Sequence, residues 1–209
     1  MCTWRLPAIH LQPSVSGIRR DLEVGGKFEF LSGVRPIPDG FRLPLLTNDV
    51  WREMLSRAID AAADRHGWRL TAFVYMPEHV HLLFYPLPAA STIDRLLKTI
   101  KRPYSFRIKQ LLIRHNRRLL EKLTIQQRPG VMTFRYWQEG PGYDRNLETE
   151  AAVLAAIDYI HNNPVRRGLC KRAIDYRWSS ARWYLGSAFA AELDLPKLYP
   201  LPPEFFTLV

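Results

Sequence analysis

His79-Val80-His81 places two imidazoles on the same side of an extended segment, an arrangement in which two ring nitrogens can converge on one divalent ion. Alternate residues of a strand lie roughly 6 to 7 Å apart, close enough for both rings to lean onto a single cation. Two histidines at this spacing also serve simply as hydrogen-bonding groups, and spacing alone does not separate the two uses. The surroundings add weight to a ligand role, because the run that follows, Leu82-Leu83-Phe84, is apolar and an unpartnered imidazole is costly there. The pair does not select a metal. An oxygen-rich substrate such as a phosphodiester favours Mg²⁺ or Mn²⁺ acting as a Lewis acid, with Zn²⁺ as the alternative.

A polyanionic substrate is what the charge distribution suggests. The formal charge is +10, and the segment from Arg95 to Arg128, with eleven Lys or Arg against the single acid Glu121, carries a net +10 by itself. Lys98, Lys101, Arg102, Arg107, Lys109 and Arg114 are the candidate phosphate contacts in this stripe; a solvated helix face is the plainer alternative. A second basic cluster, Arg166, Arg167, Lys171, Arg172 and Arg177, divides between the same two readings. Trp137, Trp178 and Trp183 are candidates for stacking on bases, although packing is the commoner use of tryptophan.

These side chains need a frame. Residues 27 to 31 read as a short strand within an irregular N-terminal stretch that ends near Leu46. Thr47 or Asn48 can cap a helix over 48 to 66, in which Val50, Trp51, Met54, Leu55 and Ile59 recur at helical spacing. Leu70 to Met76 and His79 to Tyr85 form two β-rich runs separated by Pro77-Glu78, the pattern of a tight antiparallel hairpin. Ser91 and Asp94 begin a second helix with Ile93, Leu96, Leu97 and Ile100 on its apolar face. Pro103 predicts a kink and restart, with helix continuing to about Leu123. Val131 to Gln138 reads as a strand. Residues 147 to 161 form an apolar helix that stops at Asn162-Asn163-Pro164, where His161 reads as an end-capping group, and a loop-rich tail follows.

Strands and helices mix without strict alternation, which predicts an α+β sandwich around an antiparallel sheet. At 209 residues with 47% apolar composition the chain suits a single domain, 1–209, comprising irregular strands and loops (1–46), a core (47–146) and a C-terminal helix and tail (147–209). No stretch reaches the roughly 18 apolar residues of a membrane span. Two cysteines, Cys2 and Cys170, are too few for a disulfide framework, which points to a reducing, cytoplasmic setting.

Three ordered blocks resemble a known family. Tyr75-Met76-Pro77-Glu78-His79-Val80-His81-Leu82-Leu83 is similar to the strand motif of the REP-associated tyrosine transposases, within the single-tyrosine HUH superfamily. Lys101-Arg102-Pro103-Tyr104-Ser105 resembles the catalytic-tyrosine helix, and Tyr159 to Leu169 with Trp178-Ser179-Ser180-Ala181 resembles the C-terminal signature. The likeness covers about residues 48 to 185.

The resemblance implies a ferredoxin-like or RRM-like antiparallel sheet with helices on one face, followed by a C-terminal helical and loop-rich extension. It implies His79 and His81 as metal ligands on a central strand and Tyr104 as a nucleophile on a facing helix. The expected reaction is cleavage and transfer of single-stranded DNA, next to hairpin-forming repeats, through a 5′-phosphotyrosine. The expected cofactor is Mg²⁺ or Mn²⁺, and the expected state is a monomer or homodimer with no membrane attachment. In the family a polar residue, usually asparagine, stands one helical turn after the tyrosine and completes the metal site. After Tyr104 that position is Ile108, which cannot coordinate. This departure supports an alternative, a non-catalytic DNA-binding protein of the same fold. Of the arginine-rich lead-in usual in the family, only Arg5, Arg19 and Arg20 are present as echoes.

Overall fold

The computed structural model describes residues 28–34, 43–137, 143–186 and 194–206. Arg5, Arg19, Arg20, Cys2 and Gln138 lie outside this set.

Four strands form an antiparallel sheet in the order β2-β3-β1-β6, built from β1 (Phe28–Val34), β2 (Trp68–Met76), β3 (His79–Pro86) and β6 (Tyr143–Leu147). β2 and β3 are the expected hairpin, closed by Pro77 and Glu78 and registered so that Val74 pairs His81 and Met76 pairs His79. β1 pairs the other side of β3, making the histidine strand interior. β6 has no apolar alternation in Tyr-Asp-Arg-Asn-Leu, so nothing in its composition marks it as a strand; its pairing with β1 supplies the order.

The pleat divides the sheet into two apolar faces. Val80, Leu82 and Phe84 of β3 join Phe73 and Tyr75 of β2 and Leu31 of β1 in one core. That core is covered by α1 (Asp49–His66) and α2 (Ile93–His115). A bulge between Leu70 and Ala72 reverses the alternation of β2, so Ala72, Val74 and Met76 point to the other side, together with Leu83, Phe28 and Phe30. There α4 (Glu150–Arg166) packs with Val153, Ala156, Ile157 and Ile160. The core helices therefore share one face, as expected, and the helix of the C-terminal extension takes the opposite face, the one that bears the histidines.

Local chemistry explains the helix limits. The Asn48 side chain accepts from the Trp51 amide at 3.1 Å, and α1 ends on Gly67 at φ 73, a left-handed position open to glycine. α2 is one continuous helix of 23 residues with Pro103 inside it, not the interrupted pair expected. Pro103 lies on the exposed side of the helix, where its ring meets no packed neighbour and solvent can reach the backbone it leaves unbonded. The break comes later, at Asn116, which caps the short α3 (Arg117–Lys122) by accepting from the Leu119 amide. A small separate sheet follows, β4 (Thr124–Arg128) with β5 (Val131–Phe134).

The C-terminal segment seals the free edge of β2. The Tyr75 amide donates to the Trp178 carbonyl at 2.8 Å and the Tyr199 amide to the Leu70 carbonyl at 2.9 Å. Trp178 is buried between the guanidiniums of Arg52 and Arg177, 5.0 and 5.1 Å from its ring centre. Trp137 is buried beside Tyr104, and Trp183 is half-buried against Tyr184. Packing accounts for all three.

Candidate active site

β3 aims His79 and His81 at the same face of the sheet, where their Nε2 atoms stand 3.0 Å apart. His81 is 2% exposed, sandwiched between Phe30, stacked at 5.9 Å, and the Tyr159 ring, edge-on at 5.2 Å. α4 lays its Asn163 side chain over the pair, with the amide nitrogen 3.1 Å from His81 Nε2. Turning that amide by 180° puts Oδ1 in the same place with no change of shape. His79 and His81 stand 3.0 Å apart and Asn163 lies 3.1 Å from His81, hydrogen-bonding distances at which the three groups could also face one cation. Two imidazoles and one amide are all uncharged donors; among the described residues no three His, Cys, Asp or Glu side chains cluster to hold a metal.

Tyr159 sits one helical turn before Asn163 on the same side of α4. It is 37% exposed, and its ring lies against His81 and Phe30. Arg166, one further turn along, places its guanidinium 5.6 Å over the Tyr159 ring. The next residue, Arg167, donates to Glu78 Oε1 at 2.7 Å.

Tyr104 is elsewhere. It projects from α2 into the core on the other face of the sheet, is 1% exposed, and bonds through its hydroxyl to Tyr136 at 3.2 Å. Burial pushes its phenol well above the ordinary tyrosine range, the opposite of an activated nucleophile. The structure does not bring Tyr104, the expected nucleophile, to the histidines. Ile108 is core beside it, so its inability to bind metal has no bearing on the site. A polar residue does stand one turn after a different tyrosine, Asn163 after Tyr159.

The signal for these two residues was in the sequence: Tyr159 and Asn163 are four apart in the C-terminal block. Ending the helix at residue 161 hid it. α4 in fact runs through Asn162, Asn163 and Pro164 to Arg166. His161 is therefore an interior residue, not a cap; its Nε2 lies 2.8 Å from the Ser180 hydroxyl, and burial lowers its pKa to about 4.

The basic stripe also lies away from the histidines. Lys98, Arg102, Arg107 and Arg114 are exposed on α2, and Lys101 and Lys109 are half-buried there. α2 covers the sheet face opposite the site, so these six side chains cannot hold phosphates next to the His79–His81 pair. The second cluster divides. Arg166 and Arg167 border the site, whereas Arg172 is paired with Asp175 and Arg177 with Asp194.

Residues 40–135 match the family described as "Transposase IS200 like", a stretch that holds the histidine hairpin and stops short of α4. No curated protein matches the chain. Among solved structures, the chain is similar to a REP-associated tyrosine transposase bound to a REP hairpin, with a TM-score of 0.58, 20% identity, and 86% of this chain and 90% of that one covered. A transposase-like protein from Deinococcus radiodurans R1 aligns with a TM-score of 0.38 and 18% identity over 73% of this chain and 97% of that one. The antiparallel sheet with its helices is thus a fold found in a tyrosine transposase. Among the described residues no helix is long and apolar enough to cross a membrane.

Proposed function

We propose that this chain is a tyrosine transposase of the IS200-like kind that cleaves and rejoins single-stranded DNA, with Tyr159 as nucleophile and His79, His81 and Asn163 as the ligands of a divalent metal. The observation that carries the proposal is the convergence of three uncharged donors, His79 and His81 at 3.0 Å and Asn163 at 3.1 Å, beneath a tyrosine one turn away on the same helix.

A phosphodiester substrate, rich in oxygen, favours Mg²⁺ or Mn²⁺ over Zn²⁺. Such an ion, when bound, polarises a phosphate oxygen and neutralises charge that develops during displacement. The chain's own residues do the rest. Tyr159 would supply the hydroxyl, its ring held by contacts with His81, Phe30 and Arg166. Its oxygen attacks phosphorus, the bond from phosphorus to the 3′ oxygen breaks, and the proton lost by the phenol is balanced by one gained at the leaving 3′-hydroxyl. The product is a 5′-phosphotyrosine that a 3′-hydroxyl of another strand reverses, so the two steps are near-isoenergetic and require no nucleotide. Arg166, exposed at the rim, is placed to hold a non-bridging phosphate oxygen.

The solved relative bound to a hairpin suggests hairpin-forming repeats as the DNA partner. The α2 stripe, on the far face, suits backbone contacts to a part of the DNA distant from the scissile bond. A cytoplasmic protein follows from this reading.

The test is incubation of the protein with labelled single-stranded hairpin DNA and Mn²⁺. The expected result is an adduct that survives denaturation together with a released 3′-hydroxyl strand. DNA binding without any adduct across a panel of hairpins would favour the non-catalytic alternative.

A further inference from the structure

We propose that Glu78 is a positioning residue for this site, holding the Nδ1 edge of His79 so that Nε2 is turned, with its lone pair, towards His81 and Asn163. The inference rests on reading those three residues as metal donors.

Glu78 occupies the two-residue turn between β2 and β3, yet it is 8% exposed, and a carboxylate is seldom buried without partners. It has two. Oε1 accepts from Arg167 Nη2 at 2.7 Å and lies 3.5 Å from Nδ1 of His79. On the other edge of the same ring, Nε2 lies 3.0 Å from His81 Nε2.

That last distance poses a choice. A neutral imidazole carries one N–H. If His79 carries it on Nε2, the ring donates to His81 Nε2 and neither Nε2 is free for a cation. If it carries the proton on Nδ1, the lone pair on Nε2 is free for one. A carboxylate against Nδ1 stabilises the second state, because it attracts an N–H and repels a lone pair. Arg167 pairs the charge of the buried carboxylate and, four residues after Asn163 at the end of α4, ties the turn to the helix that supplies the third donor, while the carboxylate's place beside His79 is set by the turn itself. Glu78 is not itself a donor in this arrangement, since it faces the ring edge remote from the other two.

The experiment records the imidazole ¹⁵N–¹H correlation spectrum of the whole chain at neutral pH without metal, then a Mn²⁺ titration. The wild-type spectrum is expected to place the His79 proton on Nδ1. Glu78→Gln is expected to move it towards Nε2 and to weaken Mn²⁺ binding by about 10- to 100-fold. Arg167→Ala, which breaks the ion pair but keeps the carboxylate, is expected to preserve the tautomer and to hold Mn²⁺ affinity within about threefold. A wild-type His79 protonated on Nε2 overturns the proposal whether or not any variant folds. So does an unchanged tautomer and affinity in Glu78→Gln, or a loss in Arg167→Ala as large as in Glu78→Gln, which would make the pair a structural tie. An inactive protein with His79 protonated on Nδ1 would count against strand transfer and leave the role of Glu78 standing.

Discussion

Asn163 reaches His81 from the helix laid on the histidine face of the sheet: its side-chain amide lies 3.1 Å from His81 Nε2, although the two are 82 positions apart and one belongs to the last long helix and the other to an interior strand. This contact brings an α4 side chain to the histidine pair, and the metal prediction follows from it. Asn163→Ala removes a donor and is expected to lower Mn²⁺ affinity by about 10- to 100-fold. Asn163→Asp, which supplies an oxygen in either orientation, should retain binding. Mn²⁺ titration followed by electron paramagnetic resonance distinguishes the pair; equal affinity in wild type and Asn163→Ala removes Asn163 from the site.

Tyr104→Phe should leave strand cleavage intact. It deletes a hydroxyl whose partner, the Tyr136 hydroxyl, is buried with it, so the cost falls on stability, about 1 kcal/mol for a lost buried hydrogen bond. Urea unfolding measures the second effect, and a cleavage assay on the same preparation measures the first.

His161 predicts an acid limit to stability. Its folded-state pKa is lowered to about 4 by burial, below the ordinary value near 6.5. The unfolded chain therefore binds a proton first as pH falls, and the imidazole's contribution, fully present above about pH 6.5, is lost progressively towards pH 4. The magnitude is at most about 3 kcal/mol. Denaturant midpoints from pH 7 to pH 4 should decline, and His161→Gln, which cannot titrate, should flatten that decline. A slope unchanged by the substitution would assign acid sensitivity to other groups.

The exposed α2 cations predict a salt effect separate from metal binding. Replacing Lys98, Arg102 and Arg107 together by Ala should reduce the dependence of log affinity on log salt for hairpin DNA. The expected reduction is about 2 to 3 in slope if all three meet phosphates. Mn²⁺ affinity should not change, because the opposite face of the sheet carries the site. An unaltered salt slope would make the stripe a solvated face.

Much of the frame was legible because it rests on local pattern. Asn48 and the apolar spacing of α1 set a helix, Pro77-Glu78 between β-rich runs set a hairpin, and the two-residue period put both histidines on one face. Less was legible where tertiary contact overrides local preference. Pro103 and Pro164 both sit inside helices, although local preference predicts a break at or before each. A helix that ends at residue 161 excludes the one-turn relation between Tyr159 and Asn163, and leaves Tyr104 as the tyrosine candidate on a helix that covers the face opposite the histidines. Which face a helix covers is set by chain crossing and not by its own composition: the apolar stripe of α2 that includes Tyr104 is as consistent with one face as with the other. β6 gave no signal, because its order comes from β1.

The central claim, that Tyr159 and not Tyr104 forms the covalent bond to DNA, has a direct measurement. The adduct formed with single-stranded hairpin DNA and Mn²⁺ is digested with nuclease and trypsin, and the modified peptide is identified by mass spectrometry. The predicted result is a nucleotide remnant on the fragment spanning residues 146–166, in which Tyr159 is the sole tyrosine, with no adduct from Tyr159→Phe and an undiminished one from Tyr104→Phe. A remnant on Tyr104, or an adduct that persists in Tyr159→Phe, would contradict it.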